Sequence, residues 1–118
     1  MENRLEKLDV WQLSHRLVLK VYKATNNFPN EEKFRLGDQI RRSASSIPTN
    51  IVEGNSKAHK KEYVQFLYLA KGSLEETKYH LLLSKDLGYL SVSLYEELQE
   101  DCNKIGRMIS GLIKHLKV

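Results

Sequence analysis

Residues 41–54 read RRSASSIPTNIVEG, and the way this stretch is written decides the fold. Paired arginines, Arg41 and Arg42, lead into four small residues; Pro48 follows, and the stretch closes through Asn50 and Glu53 on Gly54. Leu36, Ile40, Ala44, Ile47 and Ile51 carry apolar positions straight through it at three- and four-residue spacing, which is the period of a helix. A proline inside a helix removes one backbone donor and bends the helix by crowding the turn before it. Small side chains ahead of the proline admit a second helix at close range. The stretch predicts a kinked, closely packed helix that bears a basic pair and stops at Gly54.

Outward from this stretch, the second helix spans about 31–53, capped by Asn30 and containing Gly37 at a cost of roughly 1 kcal/mol relative to alanine. Before it, Val10, Leu13, Leu17, Val21 and Ala24 trace one face of a first helix over about 10–26, widened by Trp11, Val18 and Tyr22. Asp9 is the expected N-cap, with Gln12 completing a capping box. Residues 26–30 break that helix, with Phe28 folding back as an anchor, and residues 1–8 form a short arm. After Gly54, Ser56 is the expected cap of a third helix over about 57–87, whose core stripe is Tyr63, Leu67, Ala70, Leu74, Thr77 and Leu81, flanked by Phe66, Leu69 and Leu82. Gly72 and Ser73 fall mid-helix and are expected to face residues 43–46 in an antiparallel pair, the glycine admitting a neighbouring backbone. Residues 86–90 stop the helix. Ser93 and Glu96 form the expected capping box of a fourth helix over about 93–116, with Leu94, Leu98, Ile105, Ile109, Leu112 and Leu116 on one face. Acidic residues crowd its first turns and Lys114, His115 and Lys117 its last, an order that suits the helix dipole. Four amphipathic helices with short connections make an all-α, up-and-down antiparallel four-helix bundle, a single domain over 1–118.

Composition agrees. A chain of 118 residues with 41% hydrophobic and 29% charged residues suits one domain with a real core. A single cysteine, Cys102, excludes an internal disulfide and a cysteine-ligated zinc site, and reads as a small helix residue with acidic neighbours. The N-terminus lacks the apolar core of a signal peptide, and no apolar run approaches the roughly 20 residues of a membrane span, so no membrane partner and a cytoplasmic location are expected. Nineteen basic against fifteen acidic side chains give +4, with a pI near 9.2, a balance that permits an anionic partner without demanding one.

The residues carry no constellation for catalysis. A di-iron bundle needs Glu-x-x-His motifs, whereas His80 follows Glu76 by four residues and no His-x-x-x-His pair exists. The serines at 43, 45, 46 and 73 have no histidine base at a suitable offset, so close packing is their expected role. Glu75 and Glu76 diverge by about 100° around the helix. Glycine-rich phosphate loops are absent. The reading is a non-enzyme with no catalytic residue, no metal and no cofactor. Between Arg41 and Glu62, by contrast, five basic residues stand against two acidic ones, a local charge of +3. Arg41, Arg42, Lys57, Lys60 and Lys61 are therefore the candidate nucleic-acid contacts, the alternative being a solvated surface or internal ion pairs. Tyr63, Phe66, Tyr68, Leu69, Tyr79 and Leu83 cover a wider arc of the third helix than one bundle seam, and Tyr89, Leu90 and Tyr95 add to it; this predicts a homo-oligomer.

Arg41-Arg42-Ser43, Ser46-Ile47-Pro48, Asn50-Ile51, Glu53-Gly54 and the run from Ala70 through Gly72-Ser73-Leu74 to Glu76, with the turn from Leu87 to Leu90, resemble the four-helix-bundle proteins of the ribosomal RNA (23S rRNA) intervening-sequence family. The resemblance covers about 8–116. It implies a bundle assembling as a homo-oligomeric ring, a pentamer, and kinship with the accessory variability protein of diversity-generating retroelements, a basic pentamer that works with a reverse transcriptase and binds nucleic acid. The expectation is a non-catalytic oligomer that binds RNA or DNA through phosphate contacts. The alternative is a protein–protein interaction module, an adaptor for a nucleic-acid enzyme.

Overall fold

In the computed structural model, which describes residues 8–118, the chain runs through five helices: α1 (Asp9–Thr25), a single turn α2 (Asn30–Lys33), α3 (Leu36–Asn55), α4 (Lys60–Asp86) and α5 (Val92–Leu116). The four long ones make an antiparallel bundle 45 Å in its longest dimension. The expected arm lies almost wholly outside the described residues.

The core follows the helical spacing. Leu17, Val21, Ile40, Ala44, Ile47, Ile51, Leu67, Ala70, Leu74, Leu81, Leu98, Ile105 and Ile109 are all buried, as is the anchor Phe28, whose ring lies 5.7 Å from that of Tyr89. Each large apolar side chain so buried contributes about 1.5–3 kcal/mol. Cys102 and Ile113 complete the α5 face. On α4, Val64 rather than Tyr63 fills the first core position, while Leu69 and Leu82 point outward. Leu90 is buried and Tyr89 and Tyr95 pack on the core, so that apolar area is used inside the bundle.

Residues 43–46 do meet α4 closely. Ser73 donates a hydrogen bond to Ser46 Oγ at 2.9 Å, and Thr77 donates to Ser43 Oγ at 2.8 Å. α3 runs through Pro48 without interruption, and Thr49 Oγ1 and Asn50 Nδ2 each donate to a carbonyl one turn back, at Ser45 and Ser46. Back-bonding of this kind favours a bend, and it falls beside the carbonyl that the proline leaves without its donor.

Several local expectations are corrected. The second helix is not continuous from 31 to 53. Phe34 and Arg35 leave helical geometry, and α2 folds over the start of α3. Gly37 makes room for this, since a Cβ there would stand 3.3 Å from the Glu32 carbonyl oxygen and 3.1 Å from the Arg41 guanidinium. Gly54 does not stop α3, which continues to Asn55; its missing Cβ instead admits Tyr63 and Phe66, which would otherwise be met at 2.8 and 2.9 Å. Gly72 has nothing within 4 Å of its Cβ position, so of the Gly72–Ser73 pair only the serine makes the close approach. Among the caps, Asp9 lies inside α1 behind Leu8, and Asn30 inside α2 behind Pro29. Ser56 closes α3 by donating to the Glu53 carbonyl at 2.7 Å, leaving His59 at the N-cap of α4. Ser91, not Ser93, caps α5 by accepting from Leu94 N at 3.1 Å. Gly88 ends α4 with φ +83°; its own N–H bonds to Lys85 O and that of Tyr89 to Ser84 O, the paired bonds of a left-handed helix stop.

Candidate nucleic-acid interface

The bundle separates the five candidate contacts into two groups. Arg41 and Arg42 lie in the second turn of α3, beside α2. Lys57, Lys60 and Lys61 lie beyond the other end of the same helix, about 20 Å away at 1.5 Å per residue. They form no single patch.

Arg41 is committed inside the protein. Its side chain is only 15% exposed; Nη1 donates to Thr25 Oγ1 at 2.8 Å, and Nη2 to the Lys33 carbonyl and to Asp38 Oδ1, both at 2.6 Å. The guanidinium also stands 5.8 Å from the Tyr22 ring. It ties α1, α2 and α3 together. Arg42 is exposed and lines, with Phe34, Arg35, Asp38 and Gln39, a hollow of about 310 Å³. Neither arginine pairs with Glu75 or Glu76; Glu75 pairs with Lys78 at 3.7 Å. Lys20 of α1 is likewise used internally: Asp101 and Glu97 hold its ammonium at 2.8 and 2.9 Å, and those hydrogen bonds, Asp101 first, raise its pKa.

The other group is different. Lys57 lies 5.2 Å from the Phe66 ring, while Lys60 and Lys61 form the first turn of α4 and pair with no carboxylate among the described residues. A helix N-terminus carries a partial positive charge, so two lysines there work against local stability. The antiparallel course of α5 brings Lys114 and Lys117 to the same end, again without ion pairs among the described residues. Sequence reasoning had assigned these two only to the helix dipole. The signal that would have found them is the register of the α4–α5 hairpin, in which residues 110–117, the end of α5 and its C-cap, pass residues 71–60 of α4.

The serine hydroxyls join α3 to α4 or bond to carbonyls of their own helix. Cys102 is buried, and burial pushes its thiol up to about 12. Among the described residues no three His, Cys, Asp or Glu side chains converge, and no helix is long and apolar enough to cross a membrane.

A family profile described as 23S rRNA-intervening sequence protein matches residues 6–111. Among solved structures, the chain is similar to a protein of unknown function from the S23 ribosomal protein family of Bacteroides thetaiotaomicron VPI-5482, at 27% identity and a TM-score of 0.83, over 89% of this chain and 95% of that one. No curated protein matches the sequence.

Proposed function

The chain belongs to the 23S rRNA-intervening sequence protein family, and from that premise we propose that it is a non-catalytic, self-associating bundle that binds RNA or DNA through phosphate contacts. One observation carries the reading. Lys60 and Lys61 stand without carboxylate partners among the described residues at a helix end where their charge is unfavourable, and Lys117 lines the same hollow. Such a surface is stabilised by an incoming anion. Phosphates supply one at every nucleotide, with affinity that falls steeply as salt rises and depends little on sequence. Arg42 is a second, separate contact, and Arg41 serves as a strut between helices.

Self-association rests on two unlike faces. Leu69 and Tyr79 project from α4 at 57% and 59% exposure, while Trp11, His15, Val18, Pro48 and Val52 line an apolar hollow of about 420 Å³ between α1 and α3. A projecting face seated in a hollow elsewhere on the next copy gives a head-to-tail contact, and such contacts make a ring when the rotation from copy to copy closes. A pentamer would sediment at five times the chain mass of 13.7 kDa.

The test is binding of nuclease-treated protein to labelled structured RNA and duplex DNA across a salt series. The reading expects binding at low salt with a steep log–log slope. Absence of binding at low salt would leave the lysines a solvated surface and favour the adaptor role.

A further inference from the structure

Two adjoining hollows run along the seam between the first half of α4 and the last turns of α5. One, of about 390 Å³, is lined by Lys60 and Lys61 at the open end; the other, of about 430 Å³, by Lys71 and Lys114. Tyr68 and Lys117 line both. Together they form a groove with five lysines along its walls and a half-exposed tyrosine at its middle, and among the described residues no Asp or Glu side chain lines either hollow. From Lys60 to Lys71 the groove follows α4 for about 16 Å.

The helix dipole accounts for Lys114 and Lys117, at the negative end of α5, but Lys60 and Lys61 sit at the positive end of α4. Nor does core packing account for Tyr68, which is 50% exposed on α4 while its neighbour Leu67 fills the core. What remains is a combination of positive walls and an aromatic ring in a concave seam. Proteins that hold single-stranded nucleic acid use that combination: lysines follow the phosphates, and a base stacks on the ring. A duplex keeps its bases stacked inside and offers the ring nothing.

We propose that this groove is a single-strand-binding site, with Lys60, Lys61, Lys71, Lys114 and Lys117 as phosphate contacts and Tyr68 as the stacking platform. The proposal rests on the phosphate-binding reading above and adds its location and the form of nucleic acid it takes.

The experiment uses the full chain with a single-stranded 12-mer carrying one 2-aminopurine, whose fluorescence is quenched on stacking, and a duplex of the same sequence. Variants are Tyr68→Ala, Tyr68→Phe, the pair Lys114→Gln and Lys117→Gln, and Arg42→Ala at the separate second contact outside the groove. Tyr68→Ala is expected to weaken single-strand binding about 10-fold and abolish the quench. Tyr68→Phe retains both, and the lysine pair lowers the salt slope by about 1.4, at roughly 0.7 per lost contact. Duplex affinity does not respond to Tyr68. Wild-type protein that binds neither form overturns the phosphate-binding reading and the groove with it. Wild-type binding that survives Tyr68→Ala and the lysine pair but falls in Arg42→Ala overturns the groove alone. Loss of self-association in the Tyr68 or lysine variants would make the seam a contact between copies and would also overturn the assignment.

Discussion

Replacing Arg41 by alanine separates an architectural arginine from a ligand contact. The guanidinium makes two part-buried charged hydrogen bonds, to Thr25 and to the Lys33 carbonyl, and a third to Asp38, whose side chain is 44% exposed. Hydrogen bonds to charged groups contribute about 1.5–3 kcal/mol each when buried, and a solvent-screened ion pair under about 1 kcal/mol. Losing all three, with the Lys33 carbonyl left without that donor, should cost about 3 kcal/mol. For a domain of this size that lowers Tm by on the order of 10 °C. Arg42→Ala, at an exposed site without an ion pair among the described residues, should change stability by less than about 0.5 kcal/mol. The assay is thermal unfolding followed by circular dichroism, with nucleic-acid affinity measured well below either transition. Arg41→Ala should bind as wild type does. An unchanged Tm together with weakened binding would refute the reasoning and return Arg41 to the ligand.

Gly54→Ala and Gly72→Ala should move stability in opposite directions. The first forces a Cβ to 2.8 Å from the Tyr63 ring and 2.9 Å from Phe66 Cβ, at a cost of about 1–3 kcal/mol; the second meets nothing within 4 Å and gains up to about 1 kcal/mol of helix propensity, and urea midpoints will show both signs. Ser91→Ala should cost about 1 kcal/mol through the lost cap, while Ser93→Ala costs a few tenths at most, a comparison that checks which serine begins α5. Burial holds the Cys102 thiol near 12 against an ordinary 9.0, so its contribution to stability is complete below pH 9 and is lost as pH rises from 9 toward 12. Urea unfolding at pH 9 and pH 10 should show wild-type protein losing roughly 1 kcal/mol that Cys102→Ala, less stable at both, does not lose.

Much of the fold was legible because the core is written at helical spacing and the breakers fall between helices. Leu36, Ile40, Ala44, Ile47 and Ile51 are all buried, and Gly88 closes α4. Caps were less legible. Ser91 and Ser93 are equally good capping residues, and which is used depends on where the chain leaves the Gly88 turn. Glycines misled for a related reason: Gly54 and Gly72 look alike in a helical sequence, and only the partner helix distinguishes a contact from open solvent. The candidate site was half legible. Local charge near residues 57–61 pointed to the end of the bundle where the proposed groove begins. The same count included Arg41, whose partners Thr25 and the Lys33 carbonyl come from other helices. It also omitted Lys71, Lys114 and Lys117, which reach the site only through the pairing of α4 with α5.

The measurement that most directly tests the account is the salt dependence of RNA binding by wild-type protein and by the Lys60→Gln, Lys61→Gln double variant. If these lysines neutralise phosphates, wild-type log K falls linearly with log salt, and the double variant's slope is shallower by about 1.4–1.8. Equal slopes in the two proteins, or no wild-type binding at low salt, would contradict the central claim.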